Sequence, residues 1–294
     1  MISNLSIIIT TFNSSGVIFD CLKKINFQGE RIFVVDNNSS DNTIEVIEKN
    51  FPKINIIKNK NNLGYGRANN IALKKIQTEF ALILNPDAFI LEKDINKIIE
   101  LMINETSVAI AAPVLLNKFP AQDDDIKNQK EIVAANKILS HKNFTEVKYI
   151  IGAIMFLRVS IFKKIGFFDE KIFLYYEDDE ICWRAIKNNY KCAIINDVYG
   201  FHIGHGSSGS SLRMTYKRFW HKALSKFYWK EKKIGRLKSI LSAIKLAFSF
   251  LLQFLFYILL FNKYKAVKNI ASFMGTIAYI SRLSAFNSKD ISRG

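Results

Sequence analysis

Arg31-Ile32-Phe33-Val34-Val35-Asp36-Asn37-Asn38-Ser39-Ser40-Asp41 is the stretch that decides the fold. An apolar run of strand length ends on an acid and a polar turn, and Ser39, Ser40 or Asp41 can cap a helix that follows. Phe80-Ala81-Leu82-Ile83-Leu84 followed by Asn85-Pro86-Asp87 repeats the arrangement. Asp36 and Asp87 are thereby expected at the carboxyl ends of buried strands, where open α/β sheets form their ligand crevice. Carboxylates in such a place are costly to desolvate unless a metal, a base or a hydroxyl meets them. A third acidic run, Tyr176-Glu177-Asp178-Asp179-Glu180, lies downstream.

Working outward, apolar runs at 5–9, 54–57 and 108–112 also have strand character, and the segments 16–27, 42–50, 66–77 and 92–104 have helical spacing. The alternation predicts an α/β fold with a mostly parallel sheet flanked by helices. Residues 117–147 break the rhythm with Asp123-Asp124-Asp125 and many Lys and Asn, and read as an insertion or lid. Tyr149–Leu157 reads as a further core element, Asp178 to about Asn189 as a helix, Cys192–Asn196 as a short strand, and Phe201–Ser211 as a flexible loop. We set a domain boundary at 212, with a catalytic unit at 1–212 and a helical unit at 213–294.

Charge separates the two regions. The chain of 294 residues carries a formal charge of +16, yet Arg213–Gly294 holds only two acids, Glu231 and Asp290, among its many Lys and Arg, leaving residues 1–212 near neutral. Arg213–Lys238 interleaves aromatics with lysines, and Leu246–Phe261 is almost uncharged. A transmembrane helix and an in-plane or re-entrant element on an anionic leaflet both fit this pattern. Lys245 and the basic flanks on both sides favour the interfacial reading at the cytoplasmic face. The apolar run argues against a nucleic-acid partner, which basic and aromatic residues alone would allow. Cys21, Cys182 and Cys192 form no CxxC pair and point to a reduced, cytosol-facing setting. Leu5–Ile9 is too short and lacks the basic leader expected of a signal peptide.

The acids suggest chemistry at a diphosphate. Asp87, fixed by Pro86, is placed to hold a divalent cation against a departing pyrophosphate, although Asn-Pro-Asp is also sound turn chemistry. Asp36 can accept from a pyrimidine N–H or a ribose hydroxyl. Its other role is to start the turn before a helix, which suits Asp41 better. Asn62-Leu63-Gly64-Tyr65-Gly66-Arg67 offers backbone N–H groups and a guanidinium to a phosphate-sized anion. Glu177 and Asp178 open a helix with more acid than capping requires, and Asp178 is our candidate general base, its pKa raised by its acidic neighbours. Arg184, further along that helix, can pair with one of those acids. His202 is a candidate second ligand beside Asp87, and Asp123–Asp125 reads as a solvated loop.

The ordered set Thr10-Thr11-Phe12-Asn13, Val35–Asp41, Asn62-Leu63-Gly64, Asn85-Pro86-Asp87 and Glu177-Asp178 resembles family 2 glycosyltransferases, in particular a bacterial rhamnosyltransferase-type branch that builds cell-surface polysaccharides. The resemblance spans about residues 5–210. It implies a GT-A fold, a nucleoside-diphosphate sugar such as dTDP-rhamnose as donor, a divalent Mn2+ or Mg2+ ion, and inversion by one direct displacement. By position it implies that Thr11 and Asp36 hold the nucleoside, with Asn62, Gly64 and Arg67 on the nucleotide. Asp87 and His202 fall on the metal, Asp178 on the base, and Asn85, Gly152, Ala153 and Glu177 on the sugar and acceptor. Asn85 stands where the family's metal motif has its first acid. A polyprenyl-linked glycan at an anionic membrane surface is the acceptor this implies. A nucleotidyltransferase is the first rival, but Thr10–Gly16 lacks the basic loop it would need. A catalytically inactive membrane assembly subunit is the second, and the Glu177-Asp178 pair speaks against it. No oligomeric state is legible.

Overall fold

The computed structural model describes residues 4–25, 29–117, 137–204 and 211–285. They form two compact units.

The first unit, residues 1–60, 67–168 and 178–207, is built on one sheet. Its opening half is the expected alternation: β1 Leu5–Thr11, α1 Ile18–Ile25, β2 Ile32–Asp36, α2 Thr43–Asn50, β3 Asn55–Lys58, α3 Tyr65–Leu73 and β4 Phe80–Leu84. There follow β5 Ala88–Ile90, α4 Glu92–Asn104, β6 Val108–Leu116, β7 Lys137–Ser140, β8 Phe144–Val147, β9 Ile154–Arg158, α5 Val159–Ile165, α6 Glu177–Lys187 and β10 Lys191–His202. Every residue of β1 and β4 is buried, as continuous aliphatic runs demand of central strands. α4 turns Ile95, Ile98, Ile99 and Met102, at helical spacing, onto the core that Leu5, Ile7, Leu82 and Leu84 supply from the sheet.

The strand order is β3-β2-β1-β4-β9-β6-β10-β8-β7, with β5 added against β10. β3, β2, β1 and β4 run parallel. The sheet becomes mixed at β9, which is antiparallel to both β4 and β6. Three elements depart from the sequence reading. Residues 137–147, expected within a lid, form the β7–β8 hairpin and join the sheet through β10. Asp123–Asp125 lies outside the described residues. β10 runs on from Cys192–Asn196 to His202, so His202 belongs to a strand and not to a loop.

The second unit comprises α7 Leu212–Ile234, α8 Arg236–Leu259 and α9 Lys263–Ile280, together with residues 61–66 and 169–177. Ser211 caps α7 by accepting from the Met214 N–H, and Asn262 caps α9 by accepting from Lys265. Gly235, at φ +81°, makes the sharp turn between α7 and α8. α7 and α9 meet closely because α9 presents small residues. A Cβ on Gly275 would lie 2.2 Å from the Trp220 carbonyl oxygen, and Ala271 and Ala278 are buried beside Trp220 and Leu224.

Candidate active site

Strand direction collects the acids. β1, β2 and β4 are parallel, β9 is reversed, and β6 and β10 return to the direction of β4. The carboxyl ends of β1, β2, β4 and β10 and the start of β9 therefore share one edge of the sheet. Thr11, Asp36, Asn85, Asp87, Gly152, Ala153 and His202 all stand at that edge, which is the crevice position in an open α/β sheet.

Thr11 and Asp36 are register partners at the ends of β1 and β2. The Thr11 hydroxyl donates to Asp36 Oδ1 at 2.9 Å, and Ser39 donates its hydroxyl to Oδ1 and its N–H to Oδ2 at 2.9 Å. Three of the roughly four acceptor sites of the carboxylate are thus used locally. Asp36 both ties the turn and keeps acceptor capacity at the crevice. Asp41 has the capping work expected of it, accepting from the Thr43 N–H at 3.1 Å and from the Ser15 N–H at 3.0 Å. Burial opposes ionisation of Asp41, but these hydrogen bonds from Thr43 and Ser15 outweigh it and hold the carboxyl below its ordinary range.

At β4 the Asn85 N–H donates to the Ala153 carbonyl at 2.9 Å, carrying the β4–β9 pairing one step past Leu84 and Ile154. Ala88 then donates to the Asn85 carbonyl, closing the Asn85–Ala88 turn, so Asp87 is a turn residue at the crevice edge. Strand β5, which follows at once, pairs with β10 so that His202 faces Ala88. This puts His202 Nε2 3.3 Å from Asp87 Oδ1, with Asp87 buried and His202 partly exposed. On the other side of Ala153, the Gly152 N–H donates to Asp178 Oδ2 at 3.2 Å and the Asp179 N–H to Oδ1 at 3.0 Å. Burial nevertheless pushes the Asp178 carboxyl up from its ordinary value, against these N–H donors, and so towards a base that can hold a proton. One path of adjacent groups thus runs His202–Asp87–Asn85–Ala153–Gly152–Asp178.

Asp87 and His202 supply one carboxylate oxygen and one imidazole nitrogen. That donor set fits a divalent cation whose remaining positions are filled by diphosphate oxygens and water. Among the described residues no group of three His, Cys, Asp or Glu gathers as a self-sufficient metal site, which agrees with Asn85 standing where a second acid would be. A cavity of about 520 Å3, lined among others by Lys97, Glu100, His141, Asn143 and Asp197, contains none of the candidate residues.

Arg67 lies half-buried in the first unit, at the start of α3. Asn62, Gly64 and Glu177 belong to the second. There the Asn62 side-chain oxygen accepts from the Gly64 N–H at 2.9 Å, and the Tyr65 N–H donates to the Phe173 carbonyl at 3.1 Å. Gly64 sits at φ +79°, and a Cβ there would lie 2.2 Å from the same carbonyl oxygen. Its glycine identity follows from that close approach. Glu177 is buried at the head of α6.

Two features escaped the sequence reading, and a third, Arg184, does more than the pairing expected of it. Ser39 is the main partner of Asp36 and was legible only as a possible cap. Tyr175 and Tyr176 both take φ +68° just before Glu177, a strained conformation for aromatic residues, which concentrates at functional sites. Arg184, expected to pair with an acid of α6, holds the buried Glu180 at 2.8 Å and also donates to the carbonyls of Ile165, Gly166 and Phe167, locking α6 to the turn after α5.

Comparison with known proteins accords with this geometry. The chain is 28% identical over 213 residues to the low-salt glycan biosynthesis hexosyltransferase Agl10 of Haloferax volcanii, covering 68% of each chain. It is 22% identical over 237 residues to the rhamnosyltransferase WbbL of Escherichia coli, covering 73% of this chain and 88% of that one. Among solved structures, the mannosyltransferase PcManGT of Pyrobaculum calidifontis in complex with GDP-Man and Mn2+ superposes with a TM-score of 0.55 at 12% identity, covering 94% of this chain and 87% of that one. GalNAc-T7 with UDP, GalNAc and Mn2+ also gives 0.55 at 12% identity, and this chain spans only half of its length. These likenesses make the fold GT-A. The family model described as glycosyl transferase family 2 matches residues 6–166, which contain Thr11, Asp36, Asp87 and Gly152 and stop short of Asp178 and His202. The chain belongs to glycosyl transferase family 2.

Proposed function

We propose that the chain transfers a sugar, with inversion, from a nucleoside-diphosphate sugar to a hydroxyl of a lipid-linked glycan precursor at the cytoplasmic face of a membrane. The observation that carries this reading is the path linking the Asp87–His202 pair to Asp178 through Asn85, Ala153 and Gly152. Inversion in one step requires a base and a leaving-group site on opposite sides of one sugar carbon, and this path provides two distinct ends.

At one end, Asp87 and His202 would hold a divalent Mn2+ or Mg2+, which supplies positive charge to the departing diphosphate. Thr11 and Asp36 at the neighbouring strand ends orient the nucleoside, with Arg67 on the phosphate side. At the other end Asp178 accepts the acceptor hydroxyl's proton at Oδ1 or Oδ2 as that oxygen bonds to the anomeric carbon, while the sugar–phosphate bond breaks and its electron pair leaves with the diphosphate. Gly152 N–H fixes the rotamer of the base, and Asn85 and Ala153 shape the sugar and acceptor side. The rhamnosyltransferase and dTDP-rhamnosyl transferase among the relatives make dTDP-rhamnose the first donor to assay.

The test is turnover of a panel of dTDP-, UDP- and GDP-sugars by detergent-purified protein, with and without Mn2+ or Mg2+, using a polyprenyl-diphosphate-linked sugar as acceptor. Turnover of one donor, dependent on metal and giving a product of inverted configuration, supports the reading. Retention of configuration overturns the mechanism, and binding of no donor overturns the function.

A further inference from the structure

The second unit exposes apolar side chains along the whole of α8. Leu237, Leu241, Ile244, Phe248, Leu255 and Leu259 are between 51% and 76% exposed. At 100° per residue these six fall within an arc of about 60°, a stripe along a helix about 36 Å long, and over the last turns exposed Phe256 and Ile258 widen the apolar surface to either side of it. Over the first half of the helix the opposite face is occupied by protein: Ser239, Ala243 and Ala247 are buried, and the Ser239 hydroxyl donates to the Phe227 carbonyl of α7 at 2.9 Å. Lys238 and Lys245 border the stripe on one side and are exposed, as are Lys263 and Lys265 just beyond its far end. Lys265 reaches back over the Tyr257 ring at 5.0 Å, an apolar ring paired with a charged tip as suits a headgroup layer.

We infer that α8 lies along the surface of an anionic lipid leaflet, its stripe from Leu237 to Leu259 in the acyl boundary and Lys238, Lys245, Lys263 and Lys265 among the headgroups. This deepens the membrane part of the proposed function and rests on it. Length and hydropathy would also let α8 cross a bilayer. Crossing, however, needs about 20 residues clothed by lipid, and the Arg236–Ala247 half gives one face to α7 and α9. A second copy is the other candidate occupant. Two copies joined stripe to stripe would bring their Lys238 and Lys245 rows together, on chains that each carry +16. Charge therefore selects lipid.

The experiment uses the full chain with phosphatidylcholine vesicles, with or without 30 mol% phosphatidylglycerol (about one lipid in three, enough to set a strong surface potential). Cys21, Cys182 and Cys192 are buried, so a single surface cysteine takes a fluorophore selectively. Leu237→Cys, Phe248→Cys and Leu259→Cys, each labelled, report depth by quenchers placed along the acyl chain. The stripe lying flat gives three similar, shallow depths on anionic vesicles, and Leu241→Glu with Leu255→Glu lowers vesicle partition by at least about tenfold. A deep Phe248 site between two shallow ends means a span and overturns the inference. Failure to bind vesicles, with a dimer in sedimentation that the double glutamate variant splits, means a second copy and also overturns it. None of these readings uses sugar transfer, so they stand or fall separately from the catalytic assignment.

Discussion

The two units break the inside–outside rule in opposite senses. In the sheet unit acids are inside: Asp36, Asp87 and Glu180 are buried, each beside donors or a cation. In the helical unit leucines are outside, along one stripe of α8. Buried polar groups and exposed apolar rows are the informative exceptions in a folded chain. The proposed function reads the first exception as the place where a charged ligand is met, and the second as the place where an apolar phase is met. On the proposed function, one chain would carry a site for a water-soluble donor and a surface for a lipid-bound acceptor.

The comparison can be broken first at the buried acids. Asp87→Asn keeps the turn at Asn85–Ala88 and removes the charge, so we expect turnover to fall by about a thousandfold and donor affinity to fall with it, read by steady-state kinetics and calorimetry. An unchanged donor KM would detach Asp87 from the diphosphate. Arg184→Ala strips the cation from Glu180, and we expect a loss of about 3–5 kcal/mol in stability, seen in denaturant unfolding. Unaltered stability would show that Glu180 finds its compensation elsewhere. In the helical unit Gly64→Ala forces a methyl against the Phe173 carbonyl at a positive φ, and should destabilise by about 2 kcal/mol or more, checked by thermal melting.

The smallest effect sharpens the contrast, because the helical unit also holds a buried polar group. His221 is 1% exposed, with neither ring nitrogen meeting a hydrogen-bond partner among the described residues, stacked on Phe173 at 4.3 Å and edge-on to Trp220. Burial, with Lys217 nearby, pushes its pKa down to about 3 from an ordinary 6.5. Since the folded value lies below the unfolded one, the unfolded chain binds the extra proton, and stability falls as pH drops from about 6.5 towards 3. His221→Phe keeps a stacked ring without the titration, so its melting temperature should decline less over that window. Parallel pH profiles for the two proteins would contradict the assignment.

The sheet was legible where apolar runs are long. β1, β2, β4 and the first part of β6 are continuous aliphatic stretches, and the carboxylate that follows β2 or β4 identified the crevice edge. β5 escaped because three residues show no periodicity. α5 escaped because Val159 follows Arg158 with no breaker between strand and helix. His202 read as a loop residue since Gly200 and Gly204 resemble turn signals, and only pairing with the illegible β5 makes it a strand residue. The place of Asp36 and Asp87 at the carboxyl ends of their strands was legible from position, whereas the φ values of Tyr175 and Tyr176 carry no sequence signal because aromatic residues do not favour turns. The grouping of residues 61–66 and 169–177 with α7–α9 depends on contacts between distant segments, such as Tyr65 to Phe173, that no local pattern records.

The central claim is that Asp178 is the base of a transfer whose donor is held elsewhere on the same edge. Asp178→Asn preserves shape and the Gly152 contact while removing the proton acceptor, so donor binding and sugar transfer should be measured side by side in the wild-type and variant proteins. The account predicts donor affinity within about twofold and transfer lowered by about 10²–10⁴. Transfer at the wild-type rate, or loss of donor affinity in proportion to transfer, would contradict it.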